Sequence, residues 1–231
     1  MRISAATVED HLSDIVALTG LAFEARLAGC ATIISDGIRT PSLLQDAIAG
    51  GARGIISFGV CGGLSPKLRP GQWVVASCVL DGEVRFPTHD SWSRELAAAL
   101  PGCMTGCVAG VEKPLATPVD KADFYSATGA IAVDMESHIA ARAAASHGLP
   151  FAFCRVVIDA AHRRLPPAAL LNLRPGASID FSAVFRSLVK DPSQIADVIR
   201  LAADASLAVS ALRRDRPLLS AALRLGSTAR I

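Results

Sequence analysis

Along residues 15–158 of this chain, short apolar runs of strand length alternate with segments of helical spacing. Ile15–Thr19, Ala31–Ser35, Gly54–Phe58, Trp73–Ser77, Cys103–Val111, Ala130–Val133 and Phe151–Ile158 read as strands. Several are apolar throughout, as strands covered on both faces must be. Between them, Pro41–Ala49, Ser91–Leu100, Val119–Ala127 and Met135–His147 carry apolar residues at helical spacing. The alternation predicts an α/β fold, with a central mixed β-sheet flanked by helices in a single domain over residues 1–231. Beyond Asp159 the pattern turns helical, and prolines at 166, 167, 192 and 217 are expected to break it into pieces.

Composition narrows the function. Lys and Arg number 23 against 21 Asp and Glu, a net charge of +2 that is too balanced for a chain coating nucleic acid. Aromatics at 5% leave few platforms for base stacking. The six cysteines show no CxxC and no zinc-finger spacing, so they read as small core hydrophobes in a reducing cytoplasm. Cys103 and Cys107 form a CxxxC, a minor candidate for metal or redox chemistry. No metal site and no resident cofactor are expected. The first fourteen residues lack the apolar core of a signal peptide, and no run of ~18 residues is both apolar and uncharged.

In open α/β sheets ligands bind beyond the carboxyl ends of the strands. Three such places carry chemistry. Ser57-Phe58-Gly59-Val60-Cys61-Gly62-Gly63 crowds glycines behind a strand, either as a tight turn or as a backbone cradle for an anion or sugar. It fits neither GxGxxG nor a P-loop. Ala132-Val133-Asp134-Met135-Glu136-Ser137 runs from strand into helix, with Asp134 as N-cap and Glu136 in the first turn. Glu136 there either answers the helix dipole or accepts hydrogen bonds from a vicinal diol such as ribose O2′ and O3′. Asp159 closes the last strand, as a turn starter or as a general acid. Arg155, four residues earlier in the same run, needs a carboxylate or anion partner. A diol clamp, an acid and anion donors are the kit for breaking an N-glycosidic bond.

SFGVCGGLSPKLRPGQWVVAS, VDMES and RVVIDAAH resemble, in order and spacing, the signature segments of the nucleoside phosphorylase and methylthioadenosine/S-adenosylhomocysteine nucleosidase superfamily. The resemblance extends over roughly Ile15 to Leu188. It implies a phosphorylase/hydrolase-like fold and an enzyme that cleaves adenine nucleosides as a homo-oligomer. Glu136 would hold the ribose hydroxyls, Met135 would pack on the sugar, and Asp159 would serve purine N7. Gly62 and Gly63 would line the base site, and Arg155 matches the arginine that precedes the acid. TGLAFEARLAG and IDAAHRRLPPAALLNLRPG are most similar to the hopanoid-associated phosphorylases, which remove adenine from adenosylhopane.

Hydrolytic members place a water-activating Glu five residues after the glycine that ends their first strand; after Gly20 that position is Ala25, between Glu24 and Arg26. The implied nucleophile is therefore inorganic phosphate, a co-substrate held by Arg26, Gly59 and Arg39. Val60 stands where the family has a hydroxyl, and no aromatic around Gly110–Pro114 stacks on the base. Alternatives are a hydrolase of methylthioadenosine or S-adenosylhomocysteine, and a non-catalytic nucleoside-binding protein. The stretch Ala183–Leu225, apolar with Arg213, Arg214, Arg216 and Arg224 near its end, is either a helix packed on the sheet or an amphipathic contact with a membrane surface.

Overall fold

A computed structural model describes residues 14–100, 102–170 and 191–225. Its elements run β1 (Ile15–Thr19), α1 (Ala22–Ala28), β2 (Ala31–Ile34), α2 (Thr40–Ala49), β3 (Gly54–Gly63), β4 (Trp73–Asp81), β5 (Val84–Pro87) and α3 (Asp90–Ala99). They continue with β6 (Met104–Gly110), α4 (Pro118–Thr128), β7 (Ala132–Asp134), α5 (Ser137–Ser146), β8 (Phe151–Asp159), the short α6 (Pro167–Leu170) and α7 (Ile195–Leu225). The expected mixed sheet flanked by helices is what forms. Its order is β2-β1-β3-β7-β6-β4-β5, and β8 bonds to both β3 and β4. That double pairing, parallel to β3 and antiparallel to β4, closes β3, β7, β6, β4 and β8 into a ring.

Successive side chains of a strand point to opposite faces, and the core divides accordingly. Ile56 and Phe58 of β3 with Cys154 and Val156 of β8 pack beneath Trp92 and Leu96 of α3 and Ala208, Ala211 and Leu212 of α7. Ile55 and Cys61 of β3 with Phe153 and Val157 of β8 face Leu44 of α2 and Ala140, Ala141 and Ala144 of α5. The alanine face of α5 lets its backbone lie close to the sheet.

The glycine run departs from expectation. It continues β3 as strand through Gly63, paired to β7 and β8, instead of turning. Pro217 lies inside α7 and does not break it. The buried residues of α7 and the pairing of Asp215 with the indole N–H of Trp73 (2.8 Å) set that helix on the sheet. Among the described residues no helix is long and apolar enough to cross a membrane; residues 183–190 of the expected tail stretch lie outside them. Cys107 does not pair with Cys103. It is joined in a disulfide to Cys78, directly across from it on β4, so these two are not the free thiols expected from spacing.

Candidate active site

β3 has β7 on one side and β8 on the other, so their ends converge at Gly62, which is level with Val133 and next to Asp159. A Cβ on Gly62 would stand 3.3 Å from Val133 and 3.4 Å from Asp159 Oδ1, a close fit in which these side chains would have to shift slightly. Above the junction is a cleft of about 720 Å³, including its open mouth. Glu136, Asp159, Met135, Gly62 and Arg155 all line it. Gly63 is adjacent but packs against the Asp159 carbonyl and Leu68, outside the lining.

Arg155 is wholly buried at the floor. Its Nε donates to Ser57 Oγ (2.9 Å) and stands 2.9 Å from Asp134 Oδ2. Nη1 donates to the carbonyl of Val60 (2.9 Å) and pairs with Glu136 Oε2 (3.1 Å). Burial works against the guanidinium's charge, but Asp134, Glu136 and Glu24 outweigh it and hold its pKa above the ordinary arginine value. Asp134 does the capping at the start of α5: its carboxylate accepts from the backbone N–H (3.1 Å) and hydroxyl of Ser137. Glu136, expected in the first turn, occupies the cap position itself without using its side chain there. Its carboxylate is left to the cleft. Burial first, then the neighbouring Asp134 and Glu24, push its pKa up to about 7 against the pull of Arg155.

The register counted from Gly20 is corrected by the structure. Glu24, not Ala25, enters the cleft wall, because it is the third residue of α1 and folds back over the helix start. Its carboxylate accepts from the backbone N–H groups of Gly20, Leu21 and Val60, each at 2.8 Å. Burial raises its pKa, opposed by Arg155 and these donors. Gly59, expected to hold phosphate, has φ of 140° and lies so close to Glu24 that a Cβ there would be 2.4 Å from the carboxylate carbon. Its neighbour is thus an acid, which repels an anion. Arg26 is exposed on α1, and Arg39 is an exposed residue before α2 paired with Asp36. Neither lines the cleft of this chain, nor does Gly59.

Asp159, 4% exposed, is ion-paired with Lys121 of α4, which is 1% exposed. Lys121 Nζ also donates to the carbonyls of Ala160 and Arg163, both at 3.1 Å. Burial raises the Asp159 pKa; Lys121 opposes this and Asp204 adds to it. Sequence reasoning missed Lys121. Thr117 and Pro118 announce the helix start, and Thr117 and Asp120 exchange capping bonds, but nothing in the pattern says that the next residue points inward. The cleft wall around Val111, Pro114 and Leu115 is aliphatic, in line with the absence of a stacking aromatic. No group of metal-ligating side chains occurs among the described residues.

Chemically, the cleft offers hydrogen-bond acceptors at Glu136 and Glu24, and a carboxylate–ammonium pair on the side of Gly62. Solved structures with this fold include S-adenosylhomocysteine nucleosidase from Streptococcus pyogenes, 14% identical, covering 94% of this chain and 97% of that one at a TM-score of 0.63. The 5′-methylthioadenosine/S-adenosylhomocysteine nucleosidase of Streptococcus pneumoniae is also 14% identical (91% and 98% covered, TM-score 0.62). The futalosine hydrolase of Helicobacter pylori is 17% identical (77% and 97%, TM-score 0.57). No curated protein matches in sequence. The family model described as Phosphorylase superfamily matches residues 35–197, and the chain belongs to that superfamily.

Proposed function

We propose that this protein cleaves the N-glycosidic bond of an adenine nucleoside. The reading is carried by one observation: Glu136, Asp159 and Glu24, from three separate elements, meet in one cleft with an aliphatic wall. In it Glu136 accepts hydrogen bonds from ribose O2′ and O3′, which an acceptor-only carboxylate suits. Met135 packs on the sugar. As the C1′–N9 bond stretches toward an oxocarbenium ion, Asp159 gives a proton to N7 of the base, so that the leaving group departs neutral. Structural neighbours were crystallised with 5-methylthiotubericidin, with a transition-state inhibitor and, for the nucleosidase of Colwellia psychrerythraea, with adenine, which supports an adenine nucleoside as ligand.

For the nucleophile, Glu24 favours water over phosphate. It stands buried on the cleft wall with a raised pKa, suited to take a proton from water, while Arg26 and Arg39 lie outside. Phosphorolysis is the second reading, favoured by Arg155 Nη2, which is buried without a hydrogen-bond partner among the described residues. As to the 5′ substituent, the sequence resemblance points to adenosylhopane, and the aliphatic residues Val111, Leu115 and Leu165 of the wall suit an apolar group. Methylthioadenosine and S-adenosylhomocysteine are the rival substrates.

One experiment addresses all three points: mass spectrometry of products from adenosylhopane, methylthioadenosine and S-adenosylhomocysteine in ¹⁸O-water, with and without phosphate. Adenine with an ¹⁸O-labelled sugar is expected, lost in Glu24→Gln. A phosphorylated sugar would move the reading to phosphorolysis. Adenine release from none of the three would refute the function.

A further inference from the structure

Asp159 as an acid must hold a proton, yet its nearest partner is an ammonium ion, which favours the carboxylate. An acid role for this side chain alone therefore conflicts with its own surroundings. The conflict disappears if the pair is taken as one unit. Lys121 and Asp159 together carry one transferable proton, and in the ion pair it belongs to the lysine.

We propose that Lys121 is the proton source for the departing base, acting through Asp159; this deepens the nucleoside cleavage proposed above and rests on it. The three hydrogens of the ammonium have three acceptors, Asp159 Oδ2 and the carbonyls of Ala160 and Arg163. The Asp159 carboxylate lies beside Gly62, and both residues line the cleft. The proton passes from Lys121 Nζ to Asp159, leaving a neutral amine and a carboxylic acid. Asp159 then gives it to N7 as the C1′–N9 bond breaks and its electron pair moves into the purine, which leaves as neutral adenine. Water bonds to C1′ and loses a proton to Glu24. Return of that proton through solvent to the amine restores Lys121 and closes the cycle. Two charges taken out of water gain from mutual neutralisation, so transfer within the pair removes both at once.

The surroundings fit a fixed donor. The carbonyl of Arg163 that receives Lys121 belongs to a residue whose guanidinium is clamped on Asp204 of α7 (2.7 and 3.3 Å). Asp204 and Arg163 are the charged groups on that side. Arg155, the other cation among the lining residues, is paired with Asp134 and Glu136 instead.

Lys121→Arg is the sharp test, because a guanidinium keeps the positive charge and the hydrogen bonds but does not deprotonate in proteins. Substrates are methylthioadenosine, whose base must be protonated to leave, and p-nitrophenyl β-ribofuranoside, whose phenolate needs no proton. In Lys121→Arg, kcat on the nucleoside should fall by ~10²-fold or more while the nitrophenyl riboside loses under ~5-fold. In Lys121→Met the basic limb of the nucleoside kcat–pH profile should move to lower pH, since a lone carboxyl releases its proton before an ammonium does. Full nucleoside turnover in Lys121→Arg, or equal losses on both substrates, would overturn the proposal and reduce Lys121 to a positioning residue. A folded wild type that cleaves neither compound nor any other adenine nucleoside would instead overturn the function beneath it, and this step with it.

Discussion

Two buried charge clusters flank the cleft, and they differ in arithmetic. Arg155 pairs with Asp134 and Glu136 and lies in the field of Glu24, whereas Lys121 faces Asp159 alone. In the first cluster the carboxylates outnumber the cation. Burial raises Glu136 first, and with Asp134 and Glu24 beside it the single guanidinium does not offset this, so its pKa stands at about 7. In the second the charges balance. The comparison teaches a division of labour. A side rich in acceptors suits sugar hydroxyls and an attacking water, and a balanced ion pair suits the leaving base.

The comparison can be broken first at its largest member. Arg155→Met leaves buried carboxylates uncompensated and should cost about 3–5 kcal/mol of unfolding free energy, measured by urea denaturation. A loss below about 1 kcal/mol would mean that the carboxylates are mostly neutral without it. Asp159→Asn should lower kcat by ~10²–10⁴-fold with nucleoside affinity changed only a few-fold, measured by steady-state kinetics and calorimetry. Turnover within a few-fold of wild type would remove Asp159 from the chemistry.

The smallest effect concerns pH. The pKa of Glu136 is about 7 in the folded chain and ordinary in the unfolded one, so between those values the native state binds more protons. Its contribution is thus fully present at low pH and lost as pH rises through about 7. Urea midpoints should show on the order of 1–3 kcal/mol less stability from this group at pH 8 than at pH 5, and Glu136→Gln should abolish that part of the slope. An unchanged slope would place the surplus proton on a different acid.

What the sequence made legible was decided by how local each signal is. Central strands such as β1 and β8 showed themselves as apolar runs because they are buried on both faces. β5 did not, because Val84–Pro87 is a short edge segment with three of four residues exposed. α1 is seven residues with Glu24 and Ala28 as its buried stripe, and a buried glutamate disguises the pattern. Asp159 was visible because it closes a strand, and Glu136 because it sits just past one, where side chains project beyond the sheet. Glu24 was displaced by one position because counting from Gly20 assumes a fixed turn, and the actual start of α1 decides which residue folds inward. Lys121 had no local signal. Its burial depends on an aspartate 38 positions away. The Cys78–Cys107 bond likewise depends on β4 and β6 being neighbours, which spacing along the chain does not express.

The clasp between Arg163 and Asp204 has a consequence for how this protein can be altered. No α7 residue is among the described residues that line the cleft, yet α7 anchors the segment whose carbonyls steady Lys121. A change that loosens the C-terminal helix would blunt the acid end of the cleft while leaving the grip on sugar intact. Distant damage would then be felt as a selective loss of reaction speed, with recognition spared.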